Sequence, residues 1–195
     1  LSEMRRLVAD DFSQQIENEI RFLNLPDIRF EVSMQKRKKD SRYKVSREGI
    51  DDVLFRISTN LGLEPMPLAE VASGGEISRV MLGIKAVLSR TDLVDTMIFD
   101  EIDTGISGET AFLVGRKMSQ LSSEKQIIAI THLSQIAAAA DRHFKIEKLE
   151  GESSLVPLTE DERIEEIARI ISGQAIDQQA IENSRSLIRQ ARLME

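Results

Sequence analysis

Two short runs, "TMIF" at Thr96–Phe99 and "QIIAITH" at Gln126–His132, constrain this chain most, because they are apolar almost throughout. A strand without polar alternation keeps both faces out of water, the condition of a strand in a parallel sheet rather than in a hairpin with one wet side. Between them lies a segment of helical spacing, with Ala111, Val114, Gly115, Met118 and Leu121 on one face. Strand, helix, strand in that order predicts an α/β fold with a mainly parallel sheet flanked and covered by helices. Such sheets bind ligands beyond the carboxyl ends of their strands. Asp100 and Glu101 follow the first strand and His132 closes the second, so all three are expected at one rim.

The flanking segments add helices and a second kind of strand. From Leu1 to about Leu25, the residues Met4, Val8, Phe12, Ile16, Ile20 and Leu23 recur at helical spacing until Pro26 stops the pattern. This reads either as an amphipathic surface helix or as the stump of a coiled coil. The expected division is a lead-in helix over 1–25 and a lobe over 26–195. The strand-like runs "IRFEV" (Ile28–Val32) and "DDVLFRIS" (Asp51–Ser58) enclose Gln35–Glu48, which carries Lys36, Arg37, Lys38, Lys39, Arg42, Lys44 and Arg47 against two acids. A hairpin with a positive tip is predicted, either a solvated end or a contact for a phosphate backbone. A proline-punctuated loop, Leu61–Leu68, leads to a helix after Gly75 that aligns Ile77, Val80, Met81, Ile84, Val87 and Leu88. Beyond His132 the pattern gives a short helix over "LSQIAAAAD", a strand over "RHFKIEKL" and two terminal helices. Ile164, Ile167, Ala168 and Ile171 stripe the first, which Gly173 ends, and the second runs from about Asp177 to Leu193.

Composition excludes several classes. With 195 residues, 41% apolar and 30% charged, the chain reads as an ordinary folded protein rather than a disordered one. The absence of cysteine removes disulfides, thiolate zinc sites and a cysteine nucleophile together, and fits a reducing cytoplasm. No apolar run is long enough to span a bilayer, so no membrane partner is expected. A net charge of −7 rules out a surface that is basic all over but leaves room for a local basic patch. Opening at Leu1 without an initiator methionine, the chain reads as a piece of something longer.

Four motifs carry chemistry. In "VASGGEISRV", Ser73, Gly74, Gly75 and Glu76 open a helix; they form either a plain N-cap with a flexible turn or a backbone surface that touches phosphate. In "IFDE", Asp100 sits where an aspartate suits Mg²⁺, and Glu101 where a glutamate can orient or deprotonate a water. "DTGISG" places Asp103 in a glycine-punctuated loop able to bridge to a partner. In "ITH", His132 is either structural or a hydrogen-bond donor to a γ-phosphate.

In this order and spacing, "SGGE", "IFDEID", "DTGISG" and "ITH" resemble the signature motif, Walker B, D-loop and switch histidine of the ATP-binding-cassette ATPases. Ala72 in place of the usual leucine and Glu76 in place of glutamine give the spelling of the SMC-like DNA repair branch. The likeness runs through nearly all of the chain from Leu25 onward. It implies the C-terminal half of an ABC/SMC-type P-loop ATPase head with an N-terminal coiled-coil stump, using ATP and Mg²⁺. Asp100 would then hold the metal, Glu101 the attacking water, and His132 the γ-phosphate. Ser73, Gly74, Gly75 and Glu76 would act on nucleotide held by the opposite head of a homodimer, and Asp103 would couple the two heads. DNA, through the basic hairpin, and a bacterial cytoplasmic, nucleoid-associated setting follow from the same resemblance. No G-x-x-x-x-G-K-[ST] occurs, nor any Gly-Lys pair. The lobe with the Walker A lysine is therefore expected from the N-terminal half of the same head, and the chain alone is expected to bind ATP poorly. Two alternatives stand beside this one: the nucleotide-binding subunit of a membrane transporter, and a non-catalytic dimerisation or DNA-tethering module.

Overall fold

The structure is a computed structural model that describes residues 1–39, 42–71, 74–149, 152–173 and 175–193. Two compact units divide the chain, Leu1–Arg90 and Thr91–Glu195.

The first unit packs two helices against an antiparallel sheet. Its elements are α1 (Ser2–Phe22), β1 (Arg29–Lys36), β2 (Lys38–Lys39), β3 (Arg42–Tyr43), β4 (Asp51–Ser58), β5 (Met66–Pro67), a single 3-10 turn at Leu68–Glu70, and α2 (Gly74–Leu88). β1 pairs β4 from Arg29↔Ser58 to Lys36↔Asp51, and β2–β3 is a small hairpin at the basic tip. Alternation along the strands sends Phe30 and Ile57 inward to Ile16, Ile20, Val80 and Ile84. Phe12, Phe30 and Phe55 meet there with ring centroids 5.4 to 6.4 Å apart. α2 turns Val80 and Ile84 inward as expected, but it also buries Arg79, Leu82 and Gly83 and leaves Met81 exposed. Gly83 marks its crossing with α1, since a Cβ there would lie 2.7 Å from Ile20 Cγ1. The apolar stripe of α1 splits in two: Ile16 and Ile20 are buried, whereas Met4, Leu7 and Val8 are exposed. Asp51 anchors the open end, accepting from Ser2 Oγ at 2.7 Å and from Arg5 Nη1 at 3.1 Å.

The second unit contains β6 (Thr96–Phe99), α3 (Gly108–Ser122), β7 (Gln126–Ala129), α4 (Ser134–Ala138), β8 (Phe144–Leu149), β9 (Glu152–Pro157), α5 (Glu160–Ser172) and α6 (Gln178–Arg192). β6 and β7 run parallel in register from Thr96↔Gln126 to Phe99↔Ala129, with α3 as the crossover. α3 buries the five residues its spacing predicts. Ala137, Ala138, Ile167 and Ile188 form the core where α4, α5 and α6 meet. α5 starts with a reciprocal capping box between Thr159 and Glu162, and Gly173, at φ +78°, closes it. No helix among the described residues is long and apolar enough to cross a membrane.

The expectation of a mainly parallel, fully covered sheet needs correction. Among the described residues, parallel pairing is confined to β6–β7, and the other pairs, β1–β4–β5, β2–β3 and β8–β9, are antiparallel. β1–β4 is the hairpin expected around the basic segment, and for β8–β9 the reason is connection length, since a parallel pair needs a crossover of a dozen residues or more. β8 also has a partner, β9, that the sequence reading lacks; Pro157 and a flanking Gly151 disguise it. Met97 is buried, but the paired residues Ile98 and Ile128 are 67% and 44% exposed, and Ile130 is 48% exposed. One face of the parallel pair is open.

Candidate functional site

The predicted site residues fall into both units. In the first, Gly74 and Gly75 form the first turn of α2, with Gly75 buried and Gly74 exposed. A Cβ built on Gly74 would meet nothing within 4 Å, so this backbone faces open space. The helix directs its positive end there. Ser78 Oγ donates to the Gly74 carbonyl at 3.0 Å. Glu76 lies in the first turn and interacts with Arg79, whose charged form is disfavoured by burial and supported by that glutamate. Ser73 and Ala72 lie outside the described residues.

In the second unit the carboxyl ends of two adjacent parallel strands bring the rest together. β6 stops at Phe99, and Asp100 and Glu101 follow with exposed side chains. The strand pairing extends one step further through Ile130 N–H donating to the Phe99 carbonyl at 2.9 Å. Glu101 adopts φ +55°, a left-handed conformation that costs a non-glycine residue about 1–2 kcal/mol. That turn is closed by Thr104 N–H donating to the Glu101 carbonyl at 3.1 Å. It buries Ile102 at 0% exposure and sends Asp103 inward at 3%.

Asp103 is the node. Its Oδ2 accepts from Thr131 Oγ1 at 2.6 Å and from the His132 backbone N–H at 2.8 Å, and it lies 3.1 Å from His132 Nδ1. Thr131 Oγ1 in turn accepts from the Leu133 N–H at 3.0 Å. His132 thus sits three residues beyond the end of β7, on a loop held by the loop after β6, with 76% of its side chain exposed. Sequence reasoning puts Asp100, Glu101 and His132 on one rim, and adjacent parallel strands do bring their loops together. It misses Thr131, whose only signal is a hydroxyl beside the histidine. Further along, Arg163 of α5 donates to the Ala138 carbonyl at 2.9 Å and to that of Ala140, gripping the C-terminal end of α4.

No family model matches the chain. It resembles the Smc head domain with a coiled coil and joint from Pyrococcus yayanosii at TM-score 0.63 and 20% identity, over 87% of this chain and 30% of that one. A structure concerned with ATP-driven dimerization and DNA-stimulated activation of SMC ATPases matches at TM-score 0.56 and 17% identity, covering 89% of this chain and 99% of that one. The fold is therefore one shared with SMC head domains. Within that class the sequence matches the C-terminal part of the DNA repair protein RecN. RecN from Treponema pallidum (strain Nichols) is 41% identical over 194 residues, covering 97% of this chain and 34% of the relative. The chain spans about a third of the length of the curated relatives it matches.

Proposed function

We propose that this chain is the lobe of an SMC-like repair ATPase head that supplies the hydrolytic residues, while the N-terminal half of the same protein supplies the Walker A lobe. The observation that carries this reading is the union of the β6 and β7 loops through Asp103, which groups two exposed carboxylates and an imidazole beyond adjacent parallel strands. The strained Glu101 backbone supports it, since such conformations cluster at functional sites. In this role Glu101 orients and deprotonates the attacking water, and His132 hydrogen-bonds the γ-phosphate. Asp100 would hold Mg²⁺. Among the described residues no three potential ligands converge, which fits an ion held by one carboxylate together with substrate phosphates and water rather than an all-protein cage. Bound there, the ion would neutralise charge on the transferred phosphoryl oxygens.

Partner assignments rest on separate features. Ile98, Ile128 and Ile130 leave a parallel sheet uncovered, and parallel sheets are normally buried on both faces, so the N-terminal lobe is the natural cover. Exposed Met4, Leu7 and Val8 suit a coiled-coil continuation of α1. The open backbone at Gly74, with Ser73, Gly75 and Glu76, suits nucleotide carried by the opposite head of a homodimer. The basic hairpin suits DNA phosphates. Lys36 and Lys38 stand 5.3 and 5.8 Å from the Tyr43 ring centre, and Arg42, Lys44 and Arg47 line the same segment. Arg37 differs from these, because its guanidinium donates to the Asp51 carbonyl and holds the base of the hairpin. A bacterial cytoplasmic, nucleoid-associated setting completes the reading.

Glu101→Gln in the complete protein tests it. Nucleotide binding should persist while turnover falls by about 10² or more, the usual contribution of a general base. Unchanged turnover would overturn the assignment.

A further inference from the structure

The loop after β7 is held to the loop after β6 by hydrogen bonds that cross 28 and 29 residues of sequence. Thr131 Oγ1 donates to Asp103 Oδ2 at 2.6 Å, and the His132 backbone N–H donates to the same oxygen at 2.8 Å. The one proton of the threonine hydroxyl goes to that oxygen, which leaves a lone pair for the Leu133 N–H at 3.0 Å. Three consecutive residues are thereby fixed on one side chain, that of Asp103, buried at 3% exposure. His132 has 76% of its own side chain exposed. Packing therefore does little to place its ring, and the backbone beneath has to do so.

We propose that Thr131 is a positioning residue: its hydroxyl clamps the loop after β7 onto the loop after β6 and so sets where His132 stands at the rim. Valine has the shape of threonine but neither donates nor accepts, whereas serine keeps both functions. The clamp also ties His132 to the strained turn at Glu101. Asp103 lies inside that turn, which the Thr104 N–H closes on the Glu101 carbonyl. A displacement of one loop is then passed to the other through the Thr131–Asp103 bond. The clamp is a property of the chain itself, and only its effect on turnover rests on the proposed function.

Two measurements on the complete protein test this. The first is amide hydrogen exchange across residues 131–133, read by mass spectrometry. The His132 and Leu133 amides should be protected in the wild type, lose protection in Thr131→Val and keep it in Thr131→Ser. Unprotected amides in the wild type overturn the proposal, even if Thr131→Val fails to fold. So does protection that survives Thr131→Val. The second is steady-state ATP hydrolysis. Thr131→Val should lower kcat by about 10- to 10²-fold while KM for ATP holds, and Thr131→Ser should retain kcat. A loss shared equally by Thr131→Ser, or carried by KM alone, overturns the positioning role. Glu101→Gln, run alongside, separates this proposal from the function it builds on. If Glu101→Gln abolishes turnover and Thr131→Val leaves kcat unchanged, the proposal falls and the hydrolytic reading stands. If Glu101→Gln leaves turnover unchanged, the hydrolytic reading falls and exchange alone decides the clamp.

Discussion

His143 is kept partly out of water with its Nδ1 unbonded, and it bears a cost that the rim residues do not. Burial, and then the nearby Arg163 guanidinium, hold its pKa below the ordinary 6.5, with Glu166 opposing them. The unfolded chain therefore binds this proton at a higher pH than the folded one does. Stability is full above about pH 6.5 and declines as pH falls from there toward the folded value. Glu162 and Glu166 act in a separate, more acid window: the bonds from Thr159 and Arg169 lower their pKa values, so their stabilisation is lost only below about 4.5. Melting temperature against pH should accordingly begin to drop as pH falls below about 6.5 in the wild type and drop less in His143→Gln; equal slopes would refute this. At this scale the sequence marks out candidate residues but not where they point. "DTGISG" identifies Asp103, but its bonds cross 28 or 29 residues and exist only because β6 and β7 pair in parallel.

At the scale of elements, packing is decided by a few close approaches. Replacing Gly83 with Ala puts a methyl 2.7 Å from Ile20 Cγ1, and Ile20 is fully buried and cannot swing aside. The clash should destabilise by about 1–3 kcal/mol in urea unfolding, outweighing the helix-propensity gain of roughly 1 kcal/mol. An unchanged midpoint would mean that α1 and α2 do not cross there. The hairpin makes the other element-scale prediction. Exchanging Lys36, Lys38, Arg42 and Lys44 for Gln should weaken duplex binding, with the slope of log K on log salt shrinking by about 0.9 for each phosphate no longer neutralised. Affinity and slope both unchanged would remove the hairpin from the interface. The bounds of β4 match the sequence reading, and the inward face of α3 is legible to the residue because its helical periodicity is uninterrupted. β9 is not, since a glycine and a proline at its ends read as loop. The rotation of α2 is equally hidden: a helix packed on more than one side buries more than a single stripe, as Arg79 and Leu82 show.

For the whole molecule, the proposed reading is one lobe of a larger head, the chain spanning about a third of the relatives it matches. On that reading the chain supplies the residues that would activate the attacking water and steady a terminal phosphate, and its sequence lacks the glycine-lysine loop that would hold the other phosphates. Its parallel pair exposes Ile98, Ile128 and Ile130 on a face that such sheets normally cover. That reading comes from the order of four motifs and one missing one. The open sheet face does not, because an apolar strand looks the same whether its cover lies in the chain or outside it. Isothermal titration of ATP in the presence of Mg²⁺ tests the claim most directly, first with this chain alone and then with the N-terminal lobe added. No binding at micromolar ATP by the chain alone, and binding restored in the mixture, is the predicted result. Micromolar binding by the isolated chain, or none after the two lobes associate, would contradict it.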